Sequence, residues 1–263
     1  MTLDDTAAPS LEELSERLDN AAVKAAATPQ ISEQRVISVE HAYAVQRLSI
    51  ERRYRRGERL VGWKMGFTSR AKMAQMGVDE LIWGRLTDAM AIDNGGTLDL
   101  GAYIHPRIEP EICFRLGKVL EGTVTADAAL DAVDAVAPAL EVIDSRYKDF
   151  KFSLPDVIAD NSSSSGFIVG PWRDPSGIDI KALKMALMVD GAPVESGDSS
   201  AILDHPINSL IAAARLITPH DGPLRPGMIV MAGAATAAWP LKDGVTVAAE
   251  VERLGRASVA IAA

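Results

Sequence analysis

The residues with the most chemical content lie in His105-Pro-Arg-Ile-Glu-Pro-Glu-Ile-Cys-Phe-Arg-Leu116. Read as a strand, its period of two places Glu109, Glu111 and Cys113 on one face and Ile108, Pro110 and Ile112 on the other. Two carboxylates pointing the same way from a half-buried strand repel each other and lose hydration, so they require a cation or a shared proton. Pro110 between them removes a ladder donor, which predicts a strand that is bent or at an edge. A third carboxylate, Glu141, interrupts the apolar run Pro138-Ala-Leu-Glu-Val-Ile-Asp144. Three carboxylates without thiolates suit a hard divalent ion such as Mg2+ or Mn2+, which keeps several of its roughly six oxygen positions for water or substrate. For any one of these glutamates an exposed strand face or a buried ion pair is the commoner reading. For the three together, that reading and an ion site stand level.

Lys64, between Trp63 and Met65 in Leu60-Val-Gly-Trp-Lys-Met65, is the candidate cation of this set. Buried in a strand it would orient an anion or move a proton; judged without context, a lysine snorkelling to solvent is the default. Asp160-Asn-Ser-Ser-Ser-Ser165 is either a solvated linker or a polar pocket wall, and its immediate exit into Gly166-Phe-Ile-Val-Gly170 favours an ordered loop. His105 either hydrogen-bonds a carboxylate of the site or simply starts its strand. His41, His205 and His220 are isolated from any second ligand at metal spacing and receive no role. No GxSxG nucleophile elbow is present, and Cys113, inside an apolar strand, reads as packing. Arg52, Arg53, Arg55, Arg56 and Arg59 read as a solvated helix end complementing the helix dipole rather than as an anion site.

These residues sit in a chain of 263, which spans one to two domains at roughly 150 residues each. Apolar residues at 48% and charged residues at 24% match a folded globular protein. The formal charge of -9 opposes nonspecific attraction to nucleic acid or an anionic membrane, so neither is expected as a partner. A single cysteine excludes an intrachain disulfide, a thiolate zinc site and a CxxC pair, and fits a reducing, cytoplasmic location. The acidic start Met1-Thr-Leu-Asp-Asp is unlike a secretory signal. The most apolar window, Met228 to Leu241, is broken by Gly233 and Pro240 and falls short of the ~18 residues a spanning helix needs. No export and no transmembrane segment are expected.

The elements that must position the candidate residues are legible in part. Ser10 with Glu13 forms a capping-box pattern, and Leu11, Leu14, Leu18, Ala22 and Ala25 recur at helical spacing up to Pro29. A second helix is predicted from about 39 to 56, stopped by Gly57. From residue 60 the texture changes to short β-like segments near 60–65, 107–116, 138–143, 166–170, 184–189, 228–233, 245–252 and 257–261. Helices are predicted at about 69–76, 126–136 and 206–217, and Asp190-Gly191 and Asp243-Gly244 mark turns. Strands that do not alternate with long helices argue against a doubly wound nucleotide-binding fold and for an α+β protein with a mixed, mostly antiparallel β core. We read one catalytic domain over 1–263, with a helical portion at 1–58 and a β-rich core at 59–263; a separate cap at 1–58 stays open.

Six strings carry a family resemblance: Gly62-Trp-Lys-Met-Gly66, Met76-Gly-Val-Asp79, Arg107-Ile-Glu-Pro-Glu111, Pro138-Ala-Leu-Glu141, Val157-Ile-Ala-Asp-Asn-Ser162 and Gly233-Ala-Ala-Thr-Ala-Ala238. From about residue 38 to the carboxyl terminus the chain resembles the 2-keto-4-pentenoate hydratase and 4-oxalocrotonate decarboxylase family of the fumarylacetoacetate hydrolase superfamily. The resemblance implies the β core of that superfamily's C-terminal domain, one Mg2+ or Mn2+ on Glu109, Glu111 and Glu141, and Lys64, Asp79 and Ser162 around a bound 2-oxo acid. It implies no organic cofactor. Gly66 to Met76, Ile82 to Asp88 and Asp144 to Ser153 look more like the decarboxylase branch.

That branch implies 2-oxo-3-hexenedioate as substrate, in the meta-cleavage breakdown of aromatic compounds. Its C1 carboxylate and C2 keto oxygen would chelate the ion, and loss of C6 as CO2 would send electrons through the C3–C4 double bond, yielding 2-hydroxypenta-2,4-dienoate. Arg146, Lys148 and Lys151, following Glu141, are candidates to orient the second carboxylate, though solvent-exposed basic residues are the default. The alternatives are a hydratase acting on the pentadienoate and a noncatalytic scaffold that partners the hydratase; the superfamily's carbon–carbon hydrolases are more distant. A homo-oligomer is expected, as is a complex with the pathway hydratase.

Overall fold

The computed structural model describes residues 8–69, 73 and 80–263. Ser10 caps α1 (Leu11–Val23): its hydroxyl accepts the Glu13 N–H while the Glu13 carboxylate accepts the Ser10 N–H, the reciprocal arrangement its sequence pattern predicts. Ser38 caps α2 (Val39–Arg55) in the same way on one side, and Gly57, at φ +100°, turns the chain out of it. Leu14, Leu18, Ala42 and Val45 from these helices share a core with Ile82, Tyr147, Val157 and Ile158. The basic end of α2 is neutralised within the chain, because Arg52, Arg53, Arg55, Arg56 and Arg59 pair with Glu16, Glu58, Glu51, Asp19 and Asp88 respectively.

Two stacked sheets follow. The first contains β1 (Leu60–Gly66), β2 (Ile82–Thr87), β4 (Arg107–Leu116), β5 (Val133–Ile143), β6 (Ser164–Val169) and β9 (Ile229–Ala234) in the order β2-β1-β9-β4-β5-β6, with β10 (Trp239–Pro240) also on β4. The second contains β3 (Thr97–Asp99), β7 (Lys184–Val189), β8 (Ala192–Asp198), β11 (Thr246–Val251) and β12 (Gly255–Ala262) in the order β3-β12-β11-β7-β8. Among the described strands only β1 with β9 and β3 with β12 pair in parallel, so the core is mixed and mostly antiparallel, as expected. Ile108, Leu140, Val142 and Ile168 of the first sheet pack on Leu187, Val247, Val259 and Ile261 of the second. Strand alternation therefore turns Glu109 and Glu141 to the opposite face of the first sheet.

Several elements differ from the sequence expectation. The helix predicted to run to about 136 ends at Asp131 (α3, Ala126–Asp131), and β5 begins at Val133 because Val133 pairs with Leu116 and extends the β4 ladder. Cross-strand pairing there overrides the helix propensity of an alanine-rich run. Strands β2, β3, β8 and β10 and the short helix α4 (Leu154–Ala159) were not predicted. Asp190 and Gly191, both at positive φ, make the tight turn of the β7–β8 hairpin. β4 is no edge strand, since β5 flanks one side and β9 and β10 the other. Pro110 sits where that second neighbour changes from β10 to β9, beside an irregularity in the ladder, so no strand donor is demanded of it. The helix expected at 69–76 lies outside the described residues, save Ser69 and Met73. Helix α5 (Ile207–Asp221) starts behind Pro206 as predicted.

Candidate metal centre

Glu109 on β4 stands directly opposite Glu141 on β5, and Glu111 lies two residues further along the same face. One carboxylate oxygen from each falls within 4.8 Å of the others, and all three side chains are buried. Lys64, on β1, which β9 separates from β4, is only 4% exposed. Its Nζ lies 3.0 Å from Oε1 and 3.2 Å from Oε2 of Glu141. Glu111 Oε2 accepts the Gly233 N–H at 2.8 Å, whereas Glu111 Oε1 has no hydrogen-bond partner among the described residues. Gly233 has φ +107°, and a Cβ there would lie 2.0 Å from Thr68 Oγ1, so only glycine lets β9 bring its N–H to Glu111 beside Thr68.

The electrostatics follow from this packing. Burial pushes the Glu111 carboxyl well above the ordinary carboxylate range, the charges of Glu141 and Glu109 push it further, and Lys64 and the Gly233 N–H oppose them. Burial also raises Glu141, with Lys64 as the main opposing influence. Among the described residues Lys64 is the cation bonded to this buried carboxylate cluster, and buried carboxylates in mutual contact are costly unless positive charge faces them. The all-oxygen donor set and the unpartnered Glu111 Oε1 fit a hard divalent cation.

A cavity of about 590 Å3 opens on this centre. Lys64, Glu109, Glu141 and Ser162 meet on its wall, with Phe67, Phe150 and Phe152 among its apolar lining. Ser162 is carried by a run of three residues, Asn161 to Ser163, at φ +49°, +53° and +60°. Such backbone persists only where its surroundings hold it. Here Asn161 exchanges two hydrogen bonds with the Arg85 backbone, at 2.8 and 2.9 Å, and Ser162 Oγ donates to the Trp83 carbonyl at 2.9 Å. A side chain at Gly84 would collide with the Asn161 carbonyl, since its Cβ would sit 2.5 Å away.

Arg146 braces the same loop from the far side. Its backbone N–H donates to Asp160 Oδ2 at 2.9 Å, and its guanidinium donates to Asp160 Oδ1, the Asp160 carbonyl and Ser165 Oγ. It does not line the cavity, in contrast to its expected contact with substrate; the turn after β5 carries it back onto Asp160 instead. Burial pushes Asp160 up to about 6, against the pull of Arg146. Of the other expected basic residues, Lys151 lines the cavity and Lys148 does not. Asp79 lies outside the described residues.

The family model described as fumarylacetoacetate (FAA) hydrolase C-terminal matches residues 70–262. The chain belongs to the fumarylacetoacetate hydrolase family. Within that family it is 56% identical over 248 residues to a 4-oxalocrotonate decarboxylase of Pseudomonas sp, covering 94% of this chain and 96% of that one. It is 37% identical to a 2-keto-4-pentenoate hydratase of Paraburkholderia xenovorans (strain LB400), over 79% of this chain and 78% of that one. The structure of the 4-oxalocrotonate decarboxylase from Pseudomonas putida G7, complexed with magnesium and adipate, superposes with a TM-score of 0.92 at 35% identity, covering 95% of this chain and 97% of that one.

On this fumarylacetoacetate hydrolase fold the structure brings Lys64, Glu109, Glu111, Glu141 and Ser162 together and leaves Arg146 behind the loop. Sequence reasoning passed over Arg107, Thr68 and Phe150, all of which line the cavity. For Arg107 a signal was present: the alternation that groups Glu109 with Glu111 extends one step back to residue 107.

Proposed function

We propose that the protein is a metal-dependent carboxy-lyase that converts 2-oxo-3-hexenedioate (4-oxalocrotonate) to 2-hydroxypenta-2,4-dienoate and CO2, within the breakdown of aromatic compounds. The observation that carries this reading is the 56% identity with a 4-oxalocrotonate decarboxylase, against 37% with a hydratase. Glu109, Glu111 and Glu141 would hold Mg2+, or the equally hard Mn2+. When bound, the ion supplies Lewis-acid polarisation of the C1 carboxylate and C2 keto oxygen of the substrate.

The chain's own residues do the rest. Lys64, buried beside Glu141, places a fixed positive charge where negative charge grows on the C2 oxygen as the C6 carboxylate departs. That charge counts for more in a site screened from water than at the surface, and it favours the transition state over the ground state. Ser162 commits its hydroxyl proton to the Trp83 carbonyl, so toward the cavity it offers an acceptor oxygen, suited to the enol proton of the product. Phe67, Phe150 and Phe152 keep water from the electron-rich diene. Asp79 completes the proposed set. The single, buried Cys113 supports a reducing cytoplasm, and no helix among the described residues is long and apolar enough to cross a membrane.

The test is to incubate purified protein and Mg2+ with 2-oxo-3-hexenedioate and, separately, with 2-hydroxypenta-2,4-dienoate, following CO2 release and ultraviolet absorbance. CO2 from the first with little consumption of the second is the expected result. The reverse pattern makes the protein a hydratase, and activity that arises only on adding a partner hydratase makes it a scaffold.

A further inference from the structure

We infer that Arg107 recognises the second carboxylate of the substrate and thereby sets a preference for dicarboxylic over monocarboxylic 2-oxo acids; the inference rests on the decarboxylase reading. Three cationic side chains line the cavity among the described residues: Lys64, Arg107 and Lys151. Lys64 is engaged with Glu141 at the inner end. Arg107 shares a strand face with Glu109, one alternation away, and both line the same cavity. Residues two apart along a strand are separated by about 6.6 Å. The carboxyl carbons of an extended six-carbon diacid, joined by five carbon–carbon bonds of about 1.5 Å, are separated by about 6 Å. A substrate whose 2-oxo end lies at the glutamates thus projects its far carboxylate toward the part of the wall that Arg107 forms.

The arginine is oriented for that contact. Its guanidinium carbon lies 4.5 Å from the centroid of the Phe150 ring, a cation–π contact that restrains the side chain at the cavity wall. Among the described residues it forms no ion pair with a carboxylate, Asp149 on the same wall included. Lys151 is likewise exposed, on the loop before α4, where no ring among the described residues stacks on it. Arg107 is itself exposed at the start of β4, so its pairing with a carboxylate is shared with solvent. That suits the chemistry: a fully buried bidentate pair would stabilise the ground-state carboxylate whose charge must vanish as CO2 leaves. A hydratase substrate ends in an uncharged methylene at this place and has no use for the cation.

The experiment compares 2-oxohexanedioate with 2-oxohexanoate, which share the chelating end and differ only in the far carboxylate. Affinities are measured calorimetrically in saturating Mg2+ for the wild type, Arg107→Ala, Arg107→Lys and Lys151→Ala. The wild type should favour the diacid by about tenfold, the scale of one partly solvated charged hydrogen bond. Arg107→Ala should abolish that preference while leaving 2-oxohexanoate binding unchanged, Arg107→Lys should restore part of it, and Lys151→Ala should keep most of it. A wild type without preference, an Arg107→Ala variant that keeps it, or equal weakening of both ligands would each overturn the inference. CO2 release by the wild type is read separately. If none is formed and the preference still collapses in Arg107→Ala, the decarboxylase reading falls and the assignment of Arg107 stands.

Discussion

Glu111→Gln separates the charge of the acidic centre from its shape. The glutamine keeps the side-chain volume and retains a carbonyl oxygen to accept the Gly233 N–H, which Glu111 Oε2 accepts at 2.8 Å. What it removes is one negative charge within 4.8 Å of two others. At an effective dielectric constant of about 20, each fully charged pair at that separation costs about 3.5 kcal/mol. Protonation of the raised Glu111 carboxyl relieves part of this at neutral pH, so the metal-free variant should be more stable than the metal-free wild type by about 1–2 kcal/mol. Addition of Mg2+ at a hundred times its dissociation constant should stabilise the wild type by about 2.7 kcal/mol. For a chain of this size that corresponds to a rise in Tm of roughly 5–10 °C. The variant should show no such rise and no Mg2+-dependent turnover. Calorimetric melting of both proteins in EDTA and in Mg2+ reads the two effects together. A Glu111→Gln variant whose Tm climbs with Mg2+ as far as the wild type's would remove Glu111 from the ligand set and refute the electrostatic reasoning.

Lys64→Met should lower kcat for CO2 release by roughly a hundredfold or more, by the precedent of other preorganised charge stabilisers. Its melting should also suffer more in EDTA than in Mg2+, because the stranded Glu141 carboxylate costs about 3–5 kcal/mol when no other cation faces it; equal losses in the two buffers would contradict the shared site. Asp160 offers a pH signature. Its pKa in the folded protein, about 6, lies above its unfolded value near 4, so its contribution to stability is full below pH ~4 and is lost as pH rises through ~6. Asp160→Asn keeps an oxygen for Arg146 and removes the titration, so the wild-type-minus-variant difference in Tm should fall between pH 4 and 6 and stay flat above; a difference independent of pH would exclude the buried carboxyl as its source.

The parts of the fold that could be read from sequence were those with local signatures. Ser10 and Glu13 define the start of α1 by themselves, and Asp190-Gly191 needs nothing beyond its own backbone preferences to make a hairpin. Glu109 and Glu111 could be assigned to one face because alternation is a property of a single strand. The registry that sets Glu141 opposite Glu109 is a property of two strands, and no spacing within either one contains it; the family resemblance grouped the three residues without it. Strand β2 escaped notice because Gly84 and Arg85 break its apolar run. Both exceptions have tertiary causes: Gly84 leaves room for the Asn161 carbonyl, and Arg85 is buried between Trp63 and Trp83 with Asp221 bonded at 2.8 Å. Helix α4, with six residues, is too short for a helical period to show. Arg146 was placed toward the substrate because sequence proximity to Glu141 says nothing about which way the chain turns after β5.

The order β2-β1-β9-β4-β5-β6 also dictates when the centre can come into being. Strands β4 and β5 are close in sequence and can zip together early, setting three carboxylates side by side on one face. Strand β1, which carries Lys64, precedes them in sequence, yet it joins β4 and β5 only through β9, whose residues 229–234 come well after β5. Without β9 in place the acidic face therefore lacks both the Gly233 N–H and the strand that joins it to the lysine. Contacts of such long sequence separation form slowly. The centre is thus complete only when the strand that closes the sheet lies between the lysine and the glutamates.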